Sequence, residues 1–453
     1  MTDLFLVLSF VAFIAIGVLS PFVLALGYVW VDVFLPHRIS DALLTNVPVA
    51  LIMGGAAIGS YLVLDRKSPP RPSVLLFLYV LLAIWITLTT TWAVAPGPAW
   101  YKWDPSFKTL LFAAFLPFVF RTRVQIESCI LIVIFAASAH IVPWGLKTIL
   151  AGGGYGRSLG QLGSNQSFLS ESSAVAAICF AFIPFLLLFA RQSVLLPKYR
   201  IVAWGLYAMV GVYALGAVGT FARVALVGLA ILFMGLWVQA KRRFWYTVIA
   251  GAGVVVLGAF TSSQWTDRIA TTADYATESS SATRIAVWRW TLNFVQDNPF
   301  GGGFNAFVIN RIEMPSGDPM NPQVQFGRAF HNIYFASLGE HGYPGLVLYC
   351  SILALTIYSL GQTRKKLRGH PEHGWASDMA SATRLSLLVL LGCAFFIDIS
   401  YNPILWDLLG LGLCLQEYAR RALSPLPVRA GQQPQAEYPD RRPLSGTVTA
   451  RLT

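Results

Sequence analysis

Apolar runs recur along this chain at residues 46–64, 74–94, 107–120, 124–142, 174–190, 201–218, 221–240, 244–260, 331–360, 385–399 and 404–415. A helix needs about 20 apolar residues to cross the hydrocarbon core of a bilayer. With no water there to satisfy N–H and C=O groups, a spanning segment must close its own hydrogen bonds, so the runs are read as helices. The first run, 4–35, is broken at Pro21 and stands open between one long span and a tight hairpin. The total comes to about twelve transmembrane helices. Only 12% of the 453 residues are charged, where a soluble domain carries roughly 25%. The expected fold class is an all-α polytopic membrane protein. Thr2-Asp3 gives no basic stretch ahead of the first run, which is therefore expected to stay in the membrane.

A formal charge of +12 would turn attention to nucleic acid in a soluble chain. Its placement argues otherwise. Of 33 Lys and Arg, 21 fall at 66–71, 121–123, 191–200, 241–243, 364–368 and from 420 onward. These are alternate inter-helix loops and the tail, the bias that marks a cytoplasmic side. The C-terminus is then cytoplasmic, and the side of the N-terminus stays open. Cys129, Cys179, Cys350, Cys393 and Cys414 lie in apolar runs without metal-ligand spacing and read as buried thiols. His370 and His373, in a basic loop, read as solvated. The chain divides into an N-terminal transmembrane region (1–120), a central one (121–260), a large loop outside the cytoplasm (261–330), a C-terminal transmembrane region (331–418) and a disordered cytoplasmic tail (419–453).

The outer segments carry the chemistry. Ala95-Pro-Gly-Pro-Ala-Trp100-Tyr-Lys102-Trp103-Asp104 is aromatic-rich and reads as an interfacial belt. Gly152-Gly-Gly-Tyr-Gly156, within the Gly- and Ser-rich loop 146–173, follows no strand and lacks Lys-Ser/Thr, so a P-loop is unsupported. After the turn Gly219-Thr220, Arg223 stands just inside the next span. It either snorkels to the headgroups or faces the bundle as an anion ligand. In the large loop, Ile285, Trp288, Leu292 and Val295 recur at helical spacing, predicting an amphipathic helix with Arg284 in its first turn. Asn298-Pro299 ends it, and Gly301-Gly-Gly303 makes a flexible turn.

Arg328, His331 and Asn332 arrive together where this loop gives way to the run 331–360. The first N–H groups and positive dipole end of a following helix would lie beside His331, which suits a phosphate. The alternative is an interfacial helix start whose polar residues face water. Glu340, nine residues on, falls nearly opposite His331 on a helix and reads as structural, while Gly342, Pro344 and Gly345 mark a kink.

These residues resemble a known family. His331-Asn332-x-Tyr334 followed by Leu338-Gly-Glu340-x-Gly342-x-x-Gly345-Leu346 is similar to the signature of the O-antigen ligase and polymerase superfamily. Ser281-x-x-Arg284 through Trp288 to Asp297-Asn-Pro299-x-Gly301-x-Gly303-Phe304 resembles that superfamily's outer loop. Thr220-Phe-Ala-Arg223 resembles its Thr-x-Ser-Arg segment, with Ala222 in place of the usual serine. Pro36-His37-Arg38, and Trp92-x-Val-Ala95-Pro with Trp103 through Lys108, resemble the exosortase-associated subgroup of O-glycosylation ligases.

The resemblance implies a metal-independent, inverting glycosyltransferase of the GT-C type, without cofactor. It implies a glycan donor on undecaprenyl diphosphate and a hydroxyl acceptor, at the periplasmic face of a bacterial inner membrane. The acceptor would be lipid A core, a growing polysaccharide or a protein. Arg223 and Arg284 would stabilise the leaving diphosphate, and Arg328 and Asn332 could assist there. His331 would either deprotonate the acceptor hydroxyl or hydrogen-bond the diphosphate. A polysaccharide polymerase differs only in acceptor. A lipid-linked oligosaccharide transporter would carry internal repeats or mid-span charges. None is evident in this sequence, whose spans look nearly charge-free at their centres. A noncatalytic scaffold also remains open.

Overall fold

The computed structural model describes residues 2–65, 68–151, 171–244, 247–248, 251, 279–314 and 323–424. The expected span at 244–260, the glycine run at 152–156 and the tail lie largely or wholly outside these residues. The described elements are α1 (Thr2–Leu19), α2 (Pro21–Phe34), α3 (Pro36–Ile39), α4 (Val49–Leu64), α5 (Val74–Thr91), α6 (Pro96–Val119) and α7 (Arg123–Ala151). They continue with α8 (Ser172–Arg191), α9 (Arg200–Gly219), α10 (Val224–Gln239) and α11 (Ser279–Asp297). Last come β1 (Arg311–Met314), β2 (Gln323–Phe326), α12 (Ile333–Leu367), α13 (Gly374–Cys393) and α14 (Pro403–Ala422). Among the described residues five helices, α5, α7, α8, α9 and α12, are long and apolar enough to cross a membrane by length and composition. Four shorter apolar helices, α1, α2, α4 and α10, accompany them.

The open first run is a hairpin. Gly17 packs directly on Leu24, and Phe13 stacks on Trp30 at 5.4 Å, so α2 runs back along α1. The chain can turn there because Pro21 occupies the first turn of α2, where its missing N–H costs nothing. At the centre of the bundle is α8, buried without interruption from Ala174 to Leu186. A helix apolar on every face suits either lipid or a protein interior, and here α9, α10 and α13 cover it.

The basic loops converge on one end. Arg121 pairs with Asp65 at 3.1 Å, and Arg421 donates to the Ser68 carbonyl at 2.9 Å. Glu127 accepts from Ser193 Oγ and Val194 N, Gln192 donates to Asp378, and Ser377 donates to the Arg364 carbonyl. At the other end, α3 and residues 41–43 meet the start of α1, where the Asp3 carboxylate accepts three backbone N–H groups. His140 contacts the Phe34 carbonyl there, and Thr148, two turns along α7, lies against Gly219.

Residues 96–104 are the first turns of α6 and are largely exposed, Trp100 and Tyr101 included, with Ala99 buried. The outer loop holds an antiparallel strand pair, Arg311 opposite Phe326, that the sequence did not announce. His373 contacts Tyr418 Oη at 3.1 Å and is not simply solvated. Asp407 is buried in the second turn of α14, and Asp32, in the last turn of α2, accepts from Thr109 at 3.0 Å, so both acids lie near helix ends.

Candidate functional site

His331 is held by its neighbours. The carbonyl of Phe330, itself fully buried, accepts from Trp288 Nε1 at 2.9 Å. On the other side Asn332 caps α12, its Oδ1 accepting from Tyr334 N and Phe335 N, and its Nδ2 donating to the Phe395 carbonyl at 3.1 Å. Between these anchors His331 adopts φ 49, a left-handed conformation that costs an L-residue about 1–2 kcal/mol. The surrounding bonds over-determine it, as is common where strain serves a site.

The first N–H groups of α12 are not open to an anion. Ile333 N donates to the Ala394 carbonyl, Tyr334 and Phe335 to the Asn332 side chain, and Ala336 to the Asn332 carbonyl. This corrects the expectation of a helix terminus offering free donors to phosphate. Asn332 likewise uses its amide on backbone groups.

Arg284 enters from α11. The buried stripe of that helix is Val287, Thr291 and Val295, spaced by four, while Leu292 is exposed. Of the expected face, Val295 is buried and Trp288 packs on α12, while Leu292 is exposed, so the inner face is rotated toward Val287 and Thr291. Polar Thr291 can sit inside because its hydroxyl donates to the Val287 carbonyl at 2.9 Å. Trp288 stacks flat on Phe335 at 5.1 Å and fastens α11 to α12. Arg328 is exposed, and its backbone is clamped by the fully buried Asn310, which accepts from Arg328 N at 2.9 Å and donates to its carbonyl at 2.6 Å.

Burial lowers the pKa of His331 from its ordinary value. The charge of Arg284 lowers it further, Asp398 opposes, and Arg328 adds to the lowering. Glu171, at the start of α8, stands with its Oε1 3.9 Å from His331 Nδ1. Burial and Asp398 raise its carboxyl above the usual range, against the pull of Arg284. The site thus gathers Arg284, His331, Arg328, Glu171 and Asp398 from four separate segments, Arg328 and His331 sharing the stretch ahead of α12.

Arg223 reaches the same end by another route. Its span starts three residues later than expected, at Val224, because Thr220 closes the turn, donating to the Ala217 carbonyl and accepting from Ala222 N. Phe221 in that turn is also left-handed, at φ 50. The Val224 carbonyl meets Cys393 Sγ at 3.7 Å at the end of α13, next to Ala394 and Phe395, which bond Ile333 and Asn332.

Beneath the site α12 is kinked at Gly342, with φ 66. The kink removes the donors that Gly339 and Glu340 carbonyls would meet four residues on, since Tyr343 N turns to the Pro299 carbonyl and Pro344 has no N–H. Gly302 N and Gly303 N fill those places at 3.0 and 2.8 Å. Val94 N and Trp92 Nε1 then bond the carbonyls of Gly302 and Gly301. The glycine turn is consequently locked, not flexible. Glu340, fully buried, accepts from Lys102 Nζ at 2.8 Å and Asn305 N at 2.9 Å, and Lys102 also stands 3.7 Å from Asp398.

With this geometry in place, comparison with known proteins is informative. Residues 208–350 match the O-antigen ligase family. That match supports membership of the O-antigen ligase superfamily and a glycan transfer of the ligase kind. It spans Arg223, Arg284, Arg328, His331 and the Gly342 kink. Residues 1–194 match a family of unknown function. No curated protein matches the chain. The ligase-family segment therefore holds the histidine and three arginines, while Lys102 and Glu171 come from the other match. Glu171 escaped sequence reasoning, although a signal existed. It is the sole acidic residue between Glu127 and Asp267.

Proposed function

We propose that this protein transfers a glycan from undecaprenyl diphosphate to a hydroxyl acceptor at the periplasmic face of a bacterial inner membrane. It would do so as a GT-C type enzyme of about twelve spans, metal-independent and inverting. The observation that carries the reading is the clustering of His331 with Arg284 and Arg328 at the end of the bundle away from the basic loops. The acceptor oxygen bonds the anomeric carbon as the bond from that carbon to the diphosphate oxygen breaks. The electron pair leaves with the diphosphate, where Arg284 and Arg223 meet the growing charge with paired N–H donors. Arg328 adds a cation at the rim. The hydroxyl proton passes to His331, whose lowered pKa keeps the ring neutral and able to accept it. Asn332 contributes by fixing the start of α12.

The test uses purified protein, a sugar-labelled undecaprenyl-diphosphate oligosaccharide and separate acceptors, with EDTA present. Label on a protein or on lipid A core is the expected result and names the acceptor class. A ladder of longer lipid-linked glycans would make the enzyme a polymerase. Movement of label across a liposome without covalent transfer would replace the enzyme reading by transport, for which the part-buried Asp32 and the buried Asp407 would be the residues to test.

A further inference from the structure

The segment that matches a family of unknown function reaches the centre of the ligase-family site through one carboxylate. We propose that Glu171 is a positioning residue that holds the Nδ1 proton of His331 and so presents Nε2 to the acceptor hydroxyl. This rests on the reading of His331 as the proton acceptor. The two side chains lie 3.9 Å apart, and at 43% and 41% exposure they have room to close. Such bonds are often long until substrate arrives.

The carboxylate of Glu171 is not used by its own helix. It occupies the N-cap of α8, but no side-chain cap bond forms there, while its carbonyl accepts from Val175 N at 3.1 Å and fixes the backbone. Asp398, the other acid acting on His331, is already engaged. Its Oδ1 accepts from Ser400 N and Ser400 Oγ, and its Oδ2 faces Lys102. His331 itself is pinned at φ 49 by Phe330 and Asn332, so the ring has little backbone freedom with which to find another partner. The groups facing the ring are Arg284 from α11, Arg328 ahead of α12, Asp398 from the turn between α13 and α14, and Glu171 from α8. Two cations keep the neutral ring neutral, and a carboxylate at Nδ1 selects which neutral tautomer it is. When Nε2 takes the acceptor proton, the same carboxylate stabilises the imidazolium until the proton passes to solvent. The N-terminal segment is then part of the site rather than an accessory to it.

The experiment titrates His331 directly in the full-length protein in detergent, labelled with 15N-histidine. The chain has six histidines, and the His331→Gln variant assigns the signal. In the wild type we expect the Nδ1–H tautomer. In Glu171→Gln we expect a mixture of tautomers and a titration midpoint lower by about 0.5–1 unit. An unchanged tautomer and midpoint would overturn the proposal. On the transfer assay, Glu171→Gln should lower kcat about tenfold or more with KM little changed, and Glu171→Asp should recover part of it. Equal kcat in Glu171→Gln and wild type would also overturn it. A wild-type protein that transfers no glycan would sink the enzyme reading, while the titration would still judge the pair.

Discussion

At the scale of single residues, the site is a contest between burial and charge around one imidazole. Burial, Arg284 and Arg328 all disfavour the charged ring, and Asp398 only partly offsets them. If neutral His331 is the working form, transfer should be retained on acidification until pH falls below the ordinary histidine value of 6.5. An acid limb above that value would contradict the assignment. Arg284→Ala and His331→Ala should each reduce transfer by about a hundredfold or more without lowering the amount of protein in the membrane. For Arg223, lysine preserves charge but not paired donors, so Arg223→Lys should remain well below wild type. A fully active lysine variant would leave Arg223 a snorkelling role. The Lys102–Glu340 pair makes a separate prediction. Lys102→Met leaves a carboxylate of 0% exposure without its cation and should cost about 3–5 kcal/mol. Lys102→Met with Glu340→Gln should recover most of that, because the amide oxygen still accepts from Asn305 N.

At the scale of elements, the site depends on a seam of three backbones. Residues 92–94, the turn Gly301–Gly303 and the unwound part of α12 exchange hydrogen bonds in series. Gly303 lies at φ 76 with its Cα face on Ala93. Gly303→Ala combines a left-handed penalty with a backbone clash, and should lower stability by about 2–4 kcal/mol, read as a fall in the thermal midpoint in detergent. Gly97→Ala meets nothing within 4 Å and should change the midpoint little. The glycine motif therefore serves to fill the gap that Pro344 opens in α12.

At the scale of the whole molecule, the two ends differ in kind. One collects the basic loops, and the other collects the strained His331, the outer loop and the start of α1. In a cysteine-free background, Phe326→Cys should react with an impermeant maleimide added to the periplasmic side. Gly369→Cys should react only after the inner membrane is opened. The reverse pattern would invert the proposed orientation and with it the periplasmic site.

Hydropathy along the chain was enough for the helical class and for most helix positions, because satisfying backbone groups in lipid allows few alternatives. Polar punctuation located Arg284, Arg328 and His331 and the kink at Gly342, since such residues stand out against apolar runs. Other features needed the folded chain. The rotated face of α11 depends on Thr291 satisfying its own hydroxyl, which no hydrophobic period records. The capped start of α12 depends on Ala394, 61 residues beyond Ile333. Glu171 and His331 are 160 residues apart in sequence and meet because α8, buried on every side, delivers its N-cap residue to the start of α12. Local pattern is written in neighbouring residues. Which side chains share a cleft is settled only when the helices pack.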